Sequence, residues 1–420
     1  MTVSEEKLLP RRWAVLAALF IALVALQTTI ILPGGCALEV MESYMIDPTL
    51  YAMIMSVPYF AGVIFGIISG TLADRIGMTK VIITGYAIAL IGAIWRYFTA
   101  DFITLFIASF LMGMATAVLN ANSAKVIRAW FPGKSANTAF GLYVMGASLG
   151  ALIALQVGAR IPMIQCWFIS IFIIAVAIVA WLILYRDHPD GIAVDEPIGQ
   201  HLGSVLKSRS VWGISLYAFF FLGACPTVTT FLIPGLQTVF GSDPGSAANI
   251  STINTIAVLI ACLIIPSFFA RFKWMRGITW VFLIVTAVFY PLVFFVPWAG
   301  GIAPTVCTVI AAFAVGGIMA MAKSLPALLP DIPQKFLGAA GGVQSTFQNL
   351  GMFLVSSYII SPICLGIDPT GGGFYYQLTF IGYGVCCVIG GLCMFLYPNL
   401  RTNIPAMLAD KAAAEGKVAA

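Results

Sequence analysis

Two lysines stand inside apolar stretches of this chain, Lys125 within residues 102–127 and Lys323 within 301–325. An ammonium group at the centre of a bilayer costs at least ~2.5–3.5 kcal/mol, so each needs a partner, a water-filled cavity or a place near a helix end. The chemistry such a pair offers is the binding of an anion; snorkelling toward water or gating is the plainer alternative. Neutral polar groups that could complete the same site also fall within apolar stretches. Gln27, Thr28, Asn120, Asn122 and Tyr143 lie in the first part of the chain, and Tyr217, Thr229, Gln344 and Gln348 in the second. For these the competing role is hydrogen bonding between helices. None of the sixteen acids lies in the middle of an apolar stretch, so the side-chain charge available there is positive.

The elements that must position these residues are membrane helices. Hydrophobic residues make up 61% of the 420, charged residues only 9%, and the mean hydropathy is +1.01. A soluble domain carries about 25% charged residues. A spanning helix needs about 20 apolar residues, and twelve runs qualify: 13–35, 50–72, 80–98, 102–127, 137–159, 163–185, 211–235, 246–269, 277–297, 301–325, 337–361 and 374–397. Six lie on each side of the polar stretch 186–210.

The two groups of six are related by an offset of 201 residues. Thr28, Thr29, Pro33 and Gly34 return as Thr229, Thr230, Pro234 and Gly235. Pro132, Lys134, Ala139, Gly141, Leu149 and Gly150 return as Pro333, Lys335, Ala340, Gly342, Leu350 and Gly351. Two distant matches in one register indicate duplication of a unit of about 200 residues, and duplicated membrane halves create a central site that can open to either side. In this register Lys323 corresponds to Asn122. The expected domains are a six-helix bundle over 1–185, a linker over 186–210, a second bundle over 211–400 and a tail over 401–420.

Basic residues set the expected orientation. With both termini and the linker in the cytoplasm, Lys7, Arg11, Arg12, Arg75, Lys80, Arg128, Lys134, Arg186, Lys207, Arg209, Arg271, Lys273, Arg276, Lys335, Arg401, Lys411 and Lys417 face inward, and only Arg160 falls clearly in an outer loop. The positive residues are dispersed over short loops, which argues against a nucleic-acid surface. The first run, 23 residues long, exceeds the about 7–15 of a signal-peptide core, and Pro33 stands where a lipoprotein cleavage site wants leucine, so that helix is expected to be retained. The nine cysteines lie mostly within apolar runs and contain no Cys-x-x-Cys, which points to buried small hydrophobes rather than disulfides. His188 and His201 belong to the linker and read as solvated groups, not metal ligands. Arg96, at the end of the third run, is assigned a structural or lipid-headgroup role.

Between the second and third runs stands Gly70-Thr71-Leu72-Ala73-Asp74-Arg75-Ile76-Gly77-Met78-Thr79-Lys80. Gly70, Asp74, Arg75, Gly77 and Lys80 match the loop signature of the major facilitator superfamily, and the chain resembles that family; Met78 and Thr79 depart from the basic residues common there. The resemblance implies a twelve-helix transporter of two pseudo-symmetric six-helix bundles, with this loop as a conformational latch. It also implies that the fourth and tenth helices, which carry Lys125 and Lys323, line the cavity. The physical basis of the latch is legible, since a carboxylate can accept bonds from helix N-terminal amides or an arginine, and glycines allow close approach and a tight turn. The stretch Asn120-Ala121-Asn122-Ser123-Ala124-Lys125, ending in Trp130-Phe131-Pro132, resembles the fourth helix of the anion and organic-acid porters of the family, the nitrate/nitrite, cyanate and oxalate/formate types among them.

The resulting expectation is an all-α membrane protein that moves a small organic or inorganic anion by alternating access. Efflux of a neutral or aromatic compound is the alternative. No Walker glycine loop is present and no cofactor, metal or enzymatic activity is expected. With no carboxylate or histidine deep in a run, and Glu39 and Glu42 at the outer end of the first, exchange of one anion for another is the simplest mechanism. The expected setting is the bacterial-type inner (plasma) membrane, the expected state a monomer.

Overall fold

The computed structural model describes residues 11–131, 135–186, 206–269, 275–328 and 337–396; within the helices, the side chains of Asp74, Arg75 and Lys323 are among those outside the described residues. All regular structure among the described residues is helical. Eleven segments are long and apolar enough to cross a membrane, and the twelfth expected run is present as a shorter apolar helix over Arg276–Leu292. The chain is thus an all-α integral membrane protein, divided into two compact units, Met1–Val194 and Asp195–Ala420.

In the first unit α1 spans Arg12–Ile31 and continues through a tight turn, Leu32–Gly34, to a short α2, Ala37–Ser43. Then follow α3 (Pro48–Ile76), α4 (Met78–Tyr97), α5 (Phe102–Trp130), α6 (Ser135–Gly158) and α7 (Met163–Leu184). Helix α1 packs against α6 and α7, and α5 against α3 and α4. The close α1–α6 approach has a local cause. A Cβ on Gly150 would stand 2.6 Å from the Val24 carbonyl oxygen and 2.9 Å from Gln27 Cβ, so only glycine lets the two backbones meet there. Between α3 and α4, Gly77 adopts φ +94°, a conformation that L side chains rarely reach.

The second unit opens with α8 (Arg209–Tyr217), a π-helical turn over Ala218–Leu222 and α9 (Pro226–Phe240), together one 32-residue span. It continues with α10 (Pro244–Phe269), α11 (Met275–Leu292), α12 (Ile302–Leu328) and α13 (Leu337–Leu354). A second π-helical segment, Val355–Ile360, leads into α14 (Ser361–Ile367), and α15 covers Gly373–Cys393. The repeat-related stretches of the first unit, 17–21 and 154–159, are ordinary α-helix, the second as far as its end at Gly158. The packing partners also differ between the copies: Gly351 meets Phe219 and Gly223, the counterparts of positions 18 and 22, whereas Gly150 meets Val24 to Thr28.

Acidic residues cap the helices. Asp47 accepts Leu50 N–H at 2.8 Å at the start of α3, Asp101 accepts Thr104 N–H at 2.9 Å at the start of α5, and both oxygens of Glu39 lie 3.0 Å from Met163 N–H at the start of α7. Asp243 does the same for α10 through Ser246 N–H at 2.8 Å, and Asp368 for α15 through Tyr375 N–H at 2.9 Å. Each carboxylate satisfies a donor that the helix cannot, and meets the positive end of its dipole.

Candidate functional site

The polar residues expected to meet a ligand separate into two sets. In the first unit Thr28 is 1% exposed; its hydroxyl donates to Val24 O at 2.7 Å and lies 3.2 Å from Gly150 O, so it ties α1 to α6. Gln27, the residue before it, is half-buried. Asn122 is wholly buried, with its amide donating to Val118 O at 2.9 Å and its Oδ1 unpartnered. Asn120 is exposed on α5, and the hydroxyl of buried Tyr143 on α6 donates to its Oδ1 at 2.9 Å. Lys125 is half-buried on the same helix, one turn and a half further along.

In the second unit Tyr217 is 1% exposed and stacked on Phe221 with ring centroids 5.6 Å apart. Thr229 is half-buried and donates to Pro226 O at 3.0 Å. Buried Gln344 on α13 donates through Nε2 to Ala322 O on α12 at 2.8 Å. Gln348, one turn later on α13, is half-buried. Lys323 belongs to α12, next to the carbonyl that Gln344 holds, but its side chain lies outside the described residues.

Side-chain surface is therefore left accessible at Gln27, Asn120, Lys125, Thr229 and Gln348. The enclosed members, Thr28, Asn122, Tyr143, Tyr217 and Gln344, hold helices or orient the exposed ones. The sequence could not separate these sets, because a helix that is apolar all round gives no periodic sign of which face is turned inward.

Of the loop signature, Gly77 and Lys80 are exposed, and Gly70, Asp74 and Arg75 sit in the last turns of α3 with surroundings outside the described residues. Gly141 and Gly342, matched in the repeat, face open space: a Cβ at either meets nothing within 4 Å among the described residues. Arg96 is fully enclosed, 1% exposed, which removes the headgroup role and leaves the structural one. Among the described residues no group of three or more His, Cys, Asp or Glu is placed to hold a metal ion, and none of the nine cysteines is in a disulfide.

Electrostatically, the resolved features outside the spans are the caps. Asp243 and Asp368 are held below the ordinary carboxyl range, chiefly by the side-chain hydroxyls of Ser246 and Thr370 respectively and then by backbone amides.

The Major Facilitator Superfamily model matches residues 14–356. The chain is 24% identical over 292 residues to the hexuronate transporter of Escherichia coli (strain K12), an alignment covering 62% of this chain and 66% of that protein, just under two thirds of its length. It is 22% identical over 211 residues to the nitrite extrusion protein of Bacillus subtilis (strain 168), covering 49% of this chain and 52% of that one. Among solved structures, a bacterial homolog to the human lysosomal transporter Spinster, inward-facing and occupied, is similar with a TM-score of 0.74 at 16% identity over 96% of this chain and 98% of that one. The nucleoside transporter NupG is similar with a TM-score of 0.75 at 15% identity, over 92% and 99%. At these identities the two structures speak for the fold alone.

Proposed function

The chain belongs to the major facilitator superfamily, and from that premise we propose that it carries a small organic or inorganic anion across the membrane by alternating access. The observation that carries this reading is the placement of charge. Lys125 and Lys323 are basic residues within the fourth and tenth apolar runs, while Asp47, Asp101, Asp243, Asp368 and Glu39 are occupied as helix caps. Two sequence relatives are named for hexuronate and nitrite, both anions, which supports the same class without choosing a member of it.

Lys323 and Lys125 supply positive charge to the ligand, with Asn120, Gln27, Thr229 and Gln348 as neutral contacts. Asn122, Thr28, Tyr143, Tyr217 and Gln344 support them from within their bundles. Gly70, Asp74, Arg75, Gly77 and Lys80 form the latch that sets the balance between outward- and inward-facing states. The two bundles over 1–185 and 211–400 move about this site as a monomer in the plasma membrane, with the termini and the 186–210 linker in the cytoplasm.

The carrier works as an exchanger, because a site whose positive charge is costly when empty returns faster loaded. Purified protein screened against carboxylates, nitrate, cyanate and aromatic acids is expected to melt higher with its ligand, which binds only the folded state. In proteoliposomes, internal anion is expected to accelerate uptake at zero membrane potential, with little response to an imposed pH gradient. Stabilisation by neutral aromatic compounds alone would replace this reading with the neutral-substrate one. Gradient-driven accumulation would replace exchange with proton coupling.

A further inference from the structure

Helix α1 loses a hydrogen bond near its end. In an α-helix the carbonyl of residue 29 accepts from the N–H of residue 33, but residue 33 is proline and has none. The backbone stays helical around it, with Leu32 at φ −51°, ψ −39° and Gly35 at φ −76°, ψ −36°, and the preceding Leu32 N–H goes to Thr28 O rather than to Thr29 O. In hydrocarbon, where no water can replace the missing donor, an orphaned carbonyl is destabilising.

The missing donor comes from Arg96. Its Nη1 donates to Thr29 O at 2.8 Å, its Nη2 to Ser109 Oγ on α5 at 3.0 Å, and its guanidinium lies over the Trp167 ring of α7 with Cζ 5.0 Å from the centroid. The side chain is 1% exposed, and no carboxylate pairs with it among the described residues. A buried arginine without an acid needs acceptors, and the carbonyl freed by Pro33 is one; the aromatic face supplies further stabilisation of the cation. On the other side of the break, Tyr51 Oη donates to Pro33 O at 3.1 Å.

We propose that Arg96 is a positioning residue that replaces the N–H absent at Pro33 and so fixes the end of α1, with Gln27 to Thr29, against α4, α5 and α7. The arrangement belongs to the first unit. Pro234 repeats Pro33, but the position 201 residues beyond Arg96 is Pro297, and aromatic rings of Phe294 and Tyr376 crowd the neighbouring Gly235 instead. The repeat thus keeps the proline in the first helix of each half but places Pro297 where the first half has Arg96. The consequence for ligand affinity rests on the transport reading; the consequence for stability does not.

A double-mutant cycle tests the pairing. Arg96→Met in the purified full-length protein is expected to lower the thermal midpoint by about 5 °C or more. Pro33→Ala returns an N–H to Thr29 O, so in that background Arg96→Met is expected to lower it by less than half as much. Equal losses in the two backgrounds would overturn the proposal and leave Arg96 acting through Ser109 and Trp167 alone. If Arg96→Met yields no folded protein, adding Pro33→Ala is expected to restore monodisperse material, and failure to do so overturns the proposal equally. In counterflow, Arg96→Met is expected to raise the apparent KM for the exchanged anion severalfold and Pro33→Ala to reverse it. Thermal coupling without any anion movement would support the pairing and count against the transport reading.

Discussion

Tyr143 and Asn120 are joined across two helices, the tyrosine hydroxyl donating to Asn120 Oδ1 at 2.9 Å. The bond occupies the acceptor end of an exposed amide and leaves its two Nδ2 hydrogens as donors, the polarity an anion requires. Tyr143 itself is 2% exposed. Its contribution is orientation. Removing its hydroxyl in Tyr143→Phe should weaken anion binding by about 1 kcal/mol, or about fivefold in Kd, and the loss should vanish when Asn120 is already alanine. Isothermal titration of the four proteins decides it; additive losses would separate the two residues.

A second clamp stands beside Lys323. Gln344 Nε2 holds Ala322 O at 2.8 Å within the second unit, fixing the backbone from which the lysine projects. Gln344→Leu leaves a buried carbonyl without that donor and should destabilise by about 1–3 kcal/mol. Lys323→Gln should instead leave stability intact and cost about ten- to hundredfold in affinity through the loss of one charge-assisted contact. Unchanged affinity in Lys323→Gln would withdraw the anion role.

For the latch, Asp74→Asn is expected to change the transport rate and the accessibility of inner and outer cysteine probes. Ligand affinity should change only as far as the shifted population requires. Complete loss of binding in a folded variant would place Asp74 at the ligand.

The glycines give a contrast within two repeat-related pairs. Gly150 and Gly351 each face the backbone of the first helix of their own unit, and alanine at either must push two helices apart, at a cost of about 1–3 kcal/mol or more. Gly141 and Gly342 face open space, so alanine there should be neutral or slightly stabilising through helix propensity. Thermal unfolding of the four single variants is the measurement. Equal behaviour of both pairs would deny the packing difference.

Acid should reveal the caps. Asp243 and Asp368 have folded-state values below their unfolded ones, because hydrogen bonds, first from the side chains of Ser246 and Thr370, favour the carboxylate. The folded state then holds fewer protons, so this stabilisation is present above about pH 3.9 and is lost as the pH falls through the lower folded values. Asp243→Asn and Asp368→Asn should each make unfolding less steep with pH below about 4. An unaltered acid limb would show that neither cap contributes.

What residues alone determined is considerable. Mean hydropathy and run length fixed a helical membrane protein, and the match of Thr28, Thr29, Pro33 and Gly34 with Thr229, Thr230, Pro234 and Gly235 fixed a duplicated architecture. These are legible because apolar length and exact spacing are properties of the chain itself. The partners of single side chains were not. Thr28 and Gln27 are neighbours in sequence, yet the hydroxyl of one is spent on Val24 O and Gly150 O and the other is left half-buried. Arg96 could be seen as costly, but its answer lies 67 residues away, at a carbonyl made available by a proline. The π turns at 218–222 and 355–360 likewise leave no mark in the repeat. In hydrocarbon every face of these helices is apolar, so only tertiary contact decides which polar atom finds which partner.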